Sequence, residues 1–158
     1  MNLDDTYIIF ELDEAIYAVR SANVQHVDML EHITAVPNTA AAVDGVVFSR
    51  GQVIPAINLR ARFGLPRREP TPQTRLIFLQ VQQRVVALIV DSAREFQRIP
   101  AETIRPIQQT LVGIQGNYVE GVATVKQRSV LILDVGAVLT IEEITPPTLT
   151  AESSPSAS

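Results

Sequence analysis

Gly45–Leu59 reads GVVFSRGQVIPAINL, and Gly121–Val135 reads GVATVKQRSVLILDV. The second stretch is the first again, displaced by 76 residues without a gap. Arg50 falls on Lys126, Ile54 on Val130, Ile57 on Leu133 and Asn58 on Asp134, and the match runs on to Phe63 and Leu139. Self-similarity over such a distance signals a duplicated structural unit. In each copy a run of branched apolar residues breaks for a polar pair and then resumes. A hairpin resolves the break: Gly51 supplies the positive φ that tight two-residue turns demand, and Arg50 is carried to the exposed tip.

Working outward, Ile8-Ile9-Phe10 matches Leu76-Ile77-Phe78 at an offset of 68. Each opens another predicted hairpin, 7–12 with 15–19 joined at Asp13-Glu14, and 75–81 with 85–90 joined at Gln82-Gln83. Short helical turns are expected at 59–63 and 135–139. Val and Ile are abundant, which suits pleated strands. About five strands per copy, with a turn every eight to twelve residues, predict a mainly β fold of two small barrels rather than one open sheet. Val130-Leu131-Ile132-Leu133 is apolar at consecutive positions and should be covered on both faces. The matching Ile54-Pro55-Ala56-Ile57 contains a proline, which predicts an edge strand. The folded part spans 6–140, with pseudo-repeats of about 6–64 and 74–140. Gly64–Gln73, GLPRREPTPQ, reads as the linker between them. Residues 141–158 have little to bury and are expected to be a disordered tail.

Composition narrows the function. The 158 residues contain no cysteine, which excludes disulfides and thiolate metal sites. The net charge of −4 argues against a surface for nucleic acid. No stretch approaches the roughly 20 apolar residues of a membrane span, and the acidic N-terminus is unlike a signal peptide. A cytoplasmic location is expected.

Catalytic constellations are thin. His26 and His32 are six apart and have no third ligand type nearby, so they read as incidental histidines on a strand of exposed polar side chains. Ser49 lacks the flanking glycines of a nucleophile elbow. Gly113 and Gly116 are not followed by the residues of a phosphate cradle. Asp91 and Asp134 lie at strand ends, where they could act as an acid/base pair; the simpler expectation is that each caps the turn or helix that follows. What is left is a double barrel with a cationic hairpin tip, the profile of a docking module. Gly45 and Gly121 recur at equivalent places, which suggests close backbone approach or a bulge in both barrels.

Three segments together resemble one family. VDGVVFSRGQVIPAINLRARFG is similar to the signature of CheW-like domains, with a Gly-Val, an Arg-Gly hairpin, an Ile-Pro and an Asp-Leu-Arg in that order. LIFLQVQQRVVALIVDSAREFQRIPAETIRPI resembles the next block, and YVEGVATVKQRSVLILDVGAVL the last. The resemblance implies two intertwined five-stranded SH3-like barrels and a stand-alone adaptor without catalytic activity or cofactor. Its implied partners are the regulatory domain of a CheA-type histidine kinase, bound by barrel ends, and chemoreceptor cytoplasmic tips, bound in the groove between barrels. Arg50 and Gly51 match the family's Arg-Gly, Gly45 the glycine before it, and Val24 a contact residue upstream. Three positions depart from the pattern: Asn58 stands where Asp is usual, Phe48-Ser49 replaces Asn-Leu, and His26 stands where an acidic residue is frequent. The expected partner-binding set is therefore Val24, His26, Gly45, Phe48, Arg50, Gly51 and Asn58, with no metal. The departures suggest a divergent coupling protein, serving surface motility or another output. Two alternatives stay open: an array subunit that binds other CheW-like domains but no receptor, and a ligand-binding or hydrolytic barrel using Asp91 and Asp134.

Overall fold

The computed structural model describes residues 5–30, 32–37, 39–106 and 118–139. Gly113, Gly116 and the tail 141–158 lie outside the described residues. The elements run β1 (Thr6–Leu12), β2 (Ala15–Arg20), β3 (Val24–Met29), β4 (Val43–Ser49), β5 (Gln52–Asn58), α1 (Leu59–Arg62), β6 (Arg75–Val81), β7 (Arg84–Val90), β8 (Ser92–Arg98), β9 (Val119–Val125), β10 (Arg128–Leu133) and α2 (Val135–Val138).

Four of the connections are two-residue turns: Asp13-Glu14, Arg50-Gly51, Gln82-Gln83 and Lys126-Gln127. In all four, both residues have positive φ, between 51° and 77°. This geometry matches the right-handed twist of the flanking strands. Three of the turns contain no glycine, so L side chains are held in the left-handed region at about 1–2 kcal/mol per residue. The strand pairing on either side holds them there.

The strands form two five-stranded sheets, in the orders β8-β1-β2-β10-β9 and β3-β6-β7-β5-β4. We call these the first and second barrel. Neither barrel is one sequence copy. The β1–β2 hairpin of the first copy joins β8, β9 and β10 of the second, and β3, β4 and β5 join the later hairpin β6–β7. The exchange is made by the antiparallel ladders β1–β8 and β3–β6 and by two short parallel ones: Tyr17 and Ala18 on β2 face Leu131 and Ile132 on β10, and Ala56–Asn58 on β5 face Ala87–Ile89 on β7.

This layout explains the continuous apolar runs. Along β6, Leu76 and Phe78 point into the second barrel, while Ile77, Leu79 and Val81 point the other way. Along β1, Tyr7 and Ile9 fill the first barrel, and Ile8, Phe10 and Leu12 face outward to meet them. The outward faces combine into the largest cluster, a core shared by both barrels. Within it Phe10 stacks on Tyr17, Tyr17 lies 5.5 Å from Phe63, and Phe63 stacks on Tyr118. Burial, with a smaller contribution from Asp13, pushes the Tyr17 phenol up to about 12.

Pro55 does not mark an edge strand. β5 lies between β7 and β4. Pro55 is the residue just before the β5–β7 ladder begins at Ala56, where no partner strand waits for its missing donor. The same splay recurs in the first barrel, where β10 joins β2 only from Leu131 onward. Surface clefts open at both splays, one lined by Val53, Pro55 and Arg84, the other by Ala15, Arg128 and Leu131. The true edges of the second barrel are β3 and β4, and those of the first are β8 and β9.

Each barrel is closed by a loop residue bridging an edge. Thr34 exchanges two 2.8 Å bonds with Val46, and Arg105 exchanges two 2.9 Å bonds with Val122. Gly45 and Gly121 permit this approach. A Cβ on Gly45 would lie 2.1 Å from the Thr34 carbonyl oxygen, and one on Gly121 would lie 2.8 Å from that of Arg105. Gly45 also carries φ +147° at a shift in the β4–β5 register.

Val130, Ile132 and Leu133 are buried, and Leu131 is half-buried against the shared core. Leu133→Ala should destabilise the chain by about 2–5 kcal/mol in urea unfolding, as a cavity in a doubly covered strand requires; an unchanged midpoint would show that the β10 packing is misassigned.

Candidate docking surface

Among the described residues, the exposed large apolar side chains are Val27, Met29, Phe48, Val53 and Phe96. Four belong to the second barrel. Phe48 and Val53 face each other across the β4–β5 hairpin, 70% and 49% exposed. Val27 and Met29 lie on β3, the opposite edge, with Met29 58% exposed. Met29, Phe48, Val47, Phe78, Asp28 and His32 line a depression of about 190 Å³ between the two edges. Arg50 and Gly51 form the exposed tip beside it, and nothing lies within 4 Å of where a Gly51 Cβ would be.

Among the described residues, the first barrel lacks this character. The 76-residue offset puts Thr124 and Ser129 at the positions of Phe48 and Val53. The edge strands β3 and β8 carry a one-residue bulge at the same point, after Val24 in one and after Ala93 in the other. Matching turn 13–14 to turn 82–83 shifts the numbering by 69, one more than the 68 that Ile8-Ile9-Phe10 and Leu76-Ile77-Phe78 suggested, and the same shift carries Val24 onto Ala93, Val27 onto Phe96 and Met29 onto Arg98. The second barrel therefore shows four apolar side chains where the first shows one.

His26 is not an exposed polar side chain. Its ring stacks on Phe78 with centroids 4.2 Å apart and planes 15° from parallel. Both ring nitrogens are out of reach of solvent and have no hydrogen-bond partner among the described residues. Burial, and then the charge of Arg50, lower its pKa below the usual histidine value, with Asp28 opposing. The ring is therefore held neutral.

The seven sequence candidates thus divide. Phe48, Arg50 and Gly51 form the tip, with His26 beside it. Val24 is half-buried against the shared core, Gly45 is the close-approach glycine, and Asn58 is 7% exposed. The Asn58 side-chain oxygen caps α1 by accepting from the Ala61 N–H at 3.1 Å, and its amide donates to Asp44 at 2.9 Å. These three residues hold the framework beneath the tip.

Asp91 and Asp134 are both committed to structural contacts. Asp134 caps α2 through the Ala137 N–H, as expected. Asp91 caps nothing that follows it. Its carboxylate accepts the Asp13 N–H at 2.9 Å and is gripped by Arg60 at 3.0 and 3.1 Å. Arg60 also donates to Asp13 and to the Pro66 carbonyl oxygen. One guanidinium therefore joins α1, the β1–β2 turn, the end of β7 and the linker. Burial pushes Asp91 up, but the hydrogen bonds from Arg60 and the Asp13 N–H, with the charges of Arg60 and Arg68, outweigh it and hold the carboxyl below its usual value. Asp91 and Asp134 line different cavities, one of about 310 Å³ with Arg60, Arg67 and Arg68, the other of about 250 Å³ with Arg20 and Glu120. They form no acid/base pair.

Sequence reasoning did not single out Arg60. The available signal was the repeat itself, since Gly136 stands at the equivalent position of the second copy.

The CheW-like domain family pattern matches residues 6–143. The chain belongs to the CheW-like domain family. It is 29% identical to the chemotaxis protein CheW of Klebsiella aerogenes, over 87% of this chain and 83% of that one. It is 30% identical to CheW of Helicobacter pylori, over 84% and 80%. Among solved structures, the scaffolding protein TtCheW of Thermoanaerobacter tengcongensis superposes with a TM-score of 0.80 at 26% identity, covering 89% of this chain and 95% of that one. No helix among the described residues is long and apolar enough to cross a membrane.

Two outcomes separate framework from surface in this CheW-like domain. Arg60 has a side chain only 7% exposed. Arg60→Met should cost about 3–5 kcal/mol at neutral pH by stranding Asp91, read from urea unfolding. Because the Asp91 pKa is depressed on folding, its contribution is present above the unfolded value and lost as pH falls through the folded one. The gap between wild type and variant should therefore narrow in acid; a constant gap would remove the ion pair from the account. Gly45→Ala should lower stability by more than about 1 kcal/mol through clash and backbone strain. A stable Gly45→Ala protein that had lost partner binding would instead make Gly45 a contact residue.

Proposed function

We propose that this chain is a non-catalytic adaptor that couples chemoreceptors to a CheA-type histidine kinase, working in the cytoplasm at receptor arrays. The observation that carries the reading is the one-sided surface. Phe48, Val53 and Met29 are exposed around a cationic tip on one barrel, while their counterparts on the other, Thr124, Ser129 and Arg98, are polar. Exposed apolar side chains rimmed by charge mark a protein-binding face. In this reading the end of the second barrel binds the kinase regulatory domain, and the groove between barrels takes the receptor tip.

The carboxylates support an adaptor over a hydrolase. Asp91 is locked into a structural ion pair and Asp134 into a helix cap, so neither is free to shuttle a proton. An adaptor needs no such group. Holding kinase and receptor on one body raises the effective concentration of each for the other. Signal passes only if receptor states differ in how tightly they engage this body.

Two exposed tip variants test the assignment. Arg50→Ala and Phe48→Ser should each leave thermal stability within about 0.5 kcal/mol and weaken binding of the kinase regulatory domain by about 2 kcal/mol or more, measured by calorimetric titration. Unchanged affinity for both the regulatory domain and a receptor tip fragment would take the β4–β5 tip out of the interface. Tight binding of the regulatory domain with no receptor binding would favour an array subunit instead.

A further inference from the structure

The two barrels solve the same local problem differently, at a pair of positions that the fold makes equivalent. In the first barrel the β9–β10 tip carries Lys126, and its ammonium lies 3.1 Å from the Glu95 carboxylate on the edge strand β8. The shift of 69 residues that aligns the two edge strands, bulge included, carries His26 onto Glu95. The offset of 76 carries Arg50 onto Lys126. The first barrel thus neutralises its tip cation with a carboxylate of its own. In the second barrel an uncharged imidazole occupies the carboxylate's place, and Arg50 forms no ion pair among the described residues.

We infer that the second barrel presents Arg50 to a carboxylate supplied by the partner, and that His26 is the residue that fixes this preference. The inference rests on the docking role proposed above and names the chemistry of the partner: a protein segment bearing an Asp or Glu within an apolar stretch.

Three features favour that occupant. A carboxylate at position 26 would satisfy Arg50 internally and repel an incoming acid, so its absence both frees the cation and removes a negative element. The charges that act on the His26 imidazole are Arg50, from the hairpin tip, and Asp28, on its own strand. Asp28 does not take the missing carboxylate's part: it accepts the Met29 N–H and makes no ion pair with Arg50. Finally, Phe48 and Met29 flank the site with apolar surface, where a charge-assisted hydrogen bond is stronger than in open water. The same docking geometry on the first barrel would meet a cation already paired.

Two measurements test this, one without a partner. In the free chain, the His26 imidazole titration followed by NMR should move to higher pH in Arg50→Ala, because the nearby cation that disfavours protonation is gone. An unchanged midpoint would show that the two side chains do not face each other and would overturn the inference whatever the binding results. In the second measurement, wild type and variants are titrated with the purified kinase regulatory domain. His26→Glu should weaken binding at least tenfold in the wild-type background and less than threefold when Arg50 is already Ala. Glu95→Gln should leave affinity within twofold. Arg50→Glu, at the exposed tip where folding is not at risk, should lose more affinity than Arg50→Ala, since like charges then meet. Equal losses for Arg50→Glu and Arg50→Ala, or wild-type affinity in a folded His26→Glu protein, would overturn it. If wild type binds neither the regulatory domain nor a receptor tip fragment, the coupling role itself falls, and the imidazole titration still reports separately on the His26–Arg50 pair.

Discussion

Each half of this chain surrenders strands to the other's sheet, and every other feature depends on that exchange. The outward face of β1 and β2 is as apolar as the inward face, and so is that of β6 and β7. A sheet with two greasy sides is stable only when both are covered. Exchange covers them: the second faces meet in one core shared by both barrels, so neither barrel stands as a separate domain. The parallel ladders that join the copies are only two and three residue pairs long. The antiparallel ladders β1–β8 and β3–β6, five residue pairs each, also join the copies, and the shared core and the Arg60 cluster carry the rest of the connection. Arg60 lies where the chain leaves barrel two, the linker turns back and the β1–β2 turn of barrel one arrives. A buried cation there is stable only while all its acceptors stay in place, which makes the relative setting of the barrels a single arrangement.

Inside, the pseudo-symmetry is close. The four tight turns share one geometry, both edge strands bulge at the same point, both barrels are bridged by a loop residue at a close-approach glycine, and Asn58 and Asp134 cap equivalent helices. Outside, it is broken. Phe48 faces solvent where the first barrel has Thr124, and Met29 where it has Arg98. Interior positions are constrained by volume and by the demand for hydrogen-bond partners. Surface positions away from such features are nearly free in stability, so the fold leaves the two faces free to differ in what they meet.

Much of the architecture was legible in the sequence because it rests on local chemistry that is repeated. The gapless match from Gly45 to Gly121 exposed the duplication, polar pairs between apolar runs located the hairpins, and glycines at equivalent places foretold the close approaches. The readings that failed depended on contacts between distant segments. Pro55 suggested an edge because proline donates no ladder bond, yet the parallel strand beside it begins one residue later. Asp91 suggested a cap because carboxylates at strand ends often are, yet its partner Arg60 lies 31 positions away. His26 looked like a surface histidine because its neighbours are polar; Phe78, on which it stacks, comes from the other copy. Its equivalence to Glu95 was hidden because the edge strands follow the 69-residue shift of the β1–β2 and β6–β7 turns, neither the 76 of the β4–β5 and β9–β10 hairpins nor the 68 of the sequence match. Only the register of β3 on β6 and of β8 on β1 reveals it.

A symmetric double barrel would be a poor adaptor. Two identical faces would bind two copies of the same partner, and each partner would compete with the other for both sites. Discrimination requires that one face reject what the other accepts, and charge placement does this more sharply than apolar area does. In this chain the difference lies in a few surface positions, among them a histidine for a glutamate at the edge and an arginine for a lysine at the tip. In the inference drawn above this change matters because an internally paired cation and an unpaired one present different fields to an approaching surface. The fold lets that change occur without disturbing the interior, since the edge strand and the hairpin tip lie outside the shared core. Duplication supplies two faces already held at a fixed geometry, and a few surface substitutions are then sufficient to make them differ.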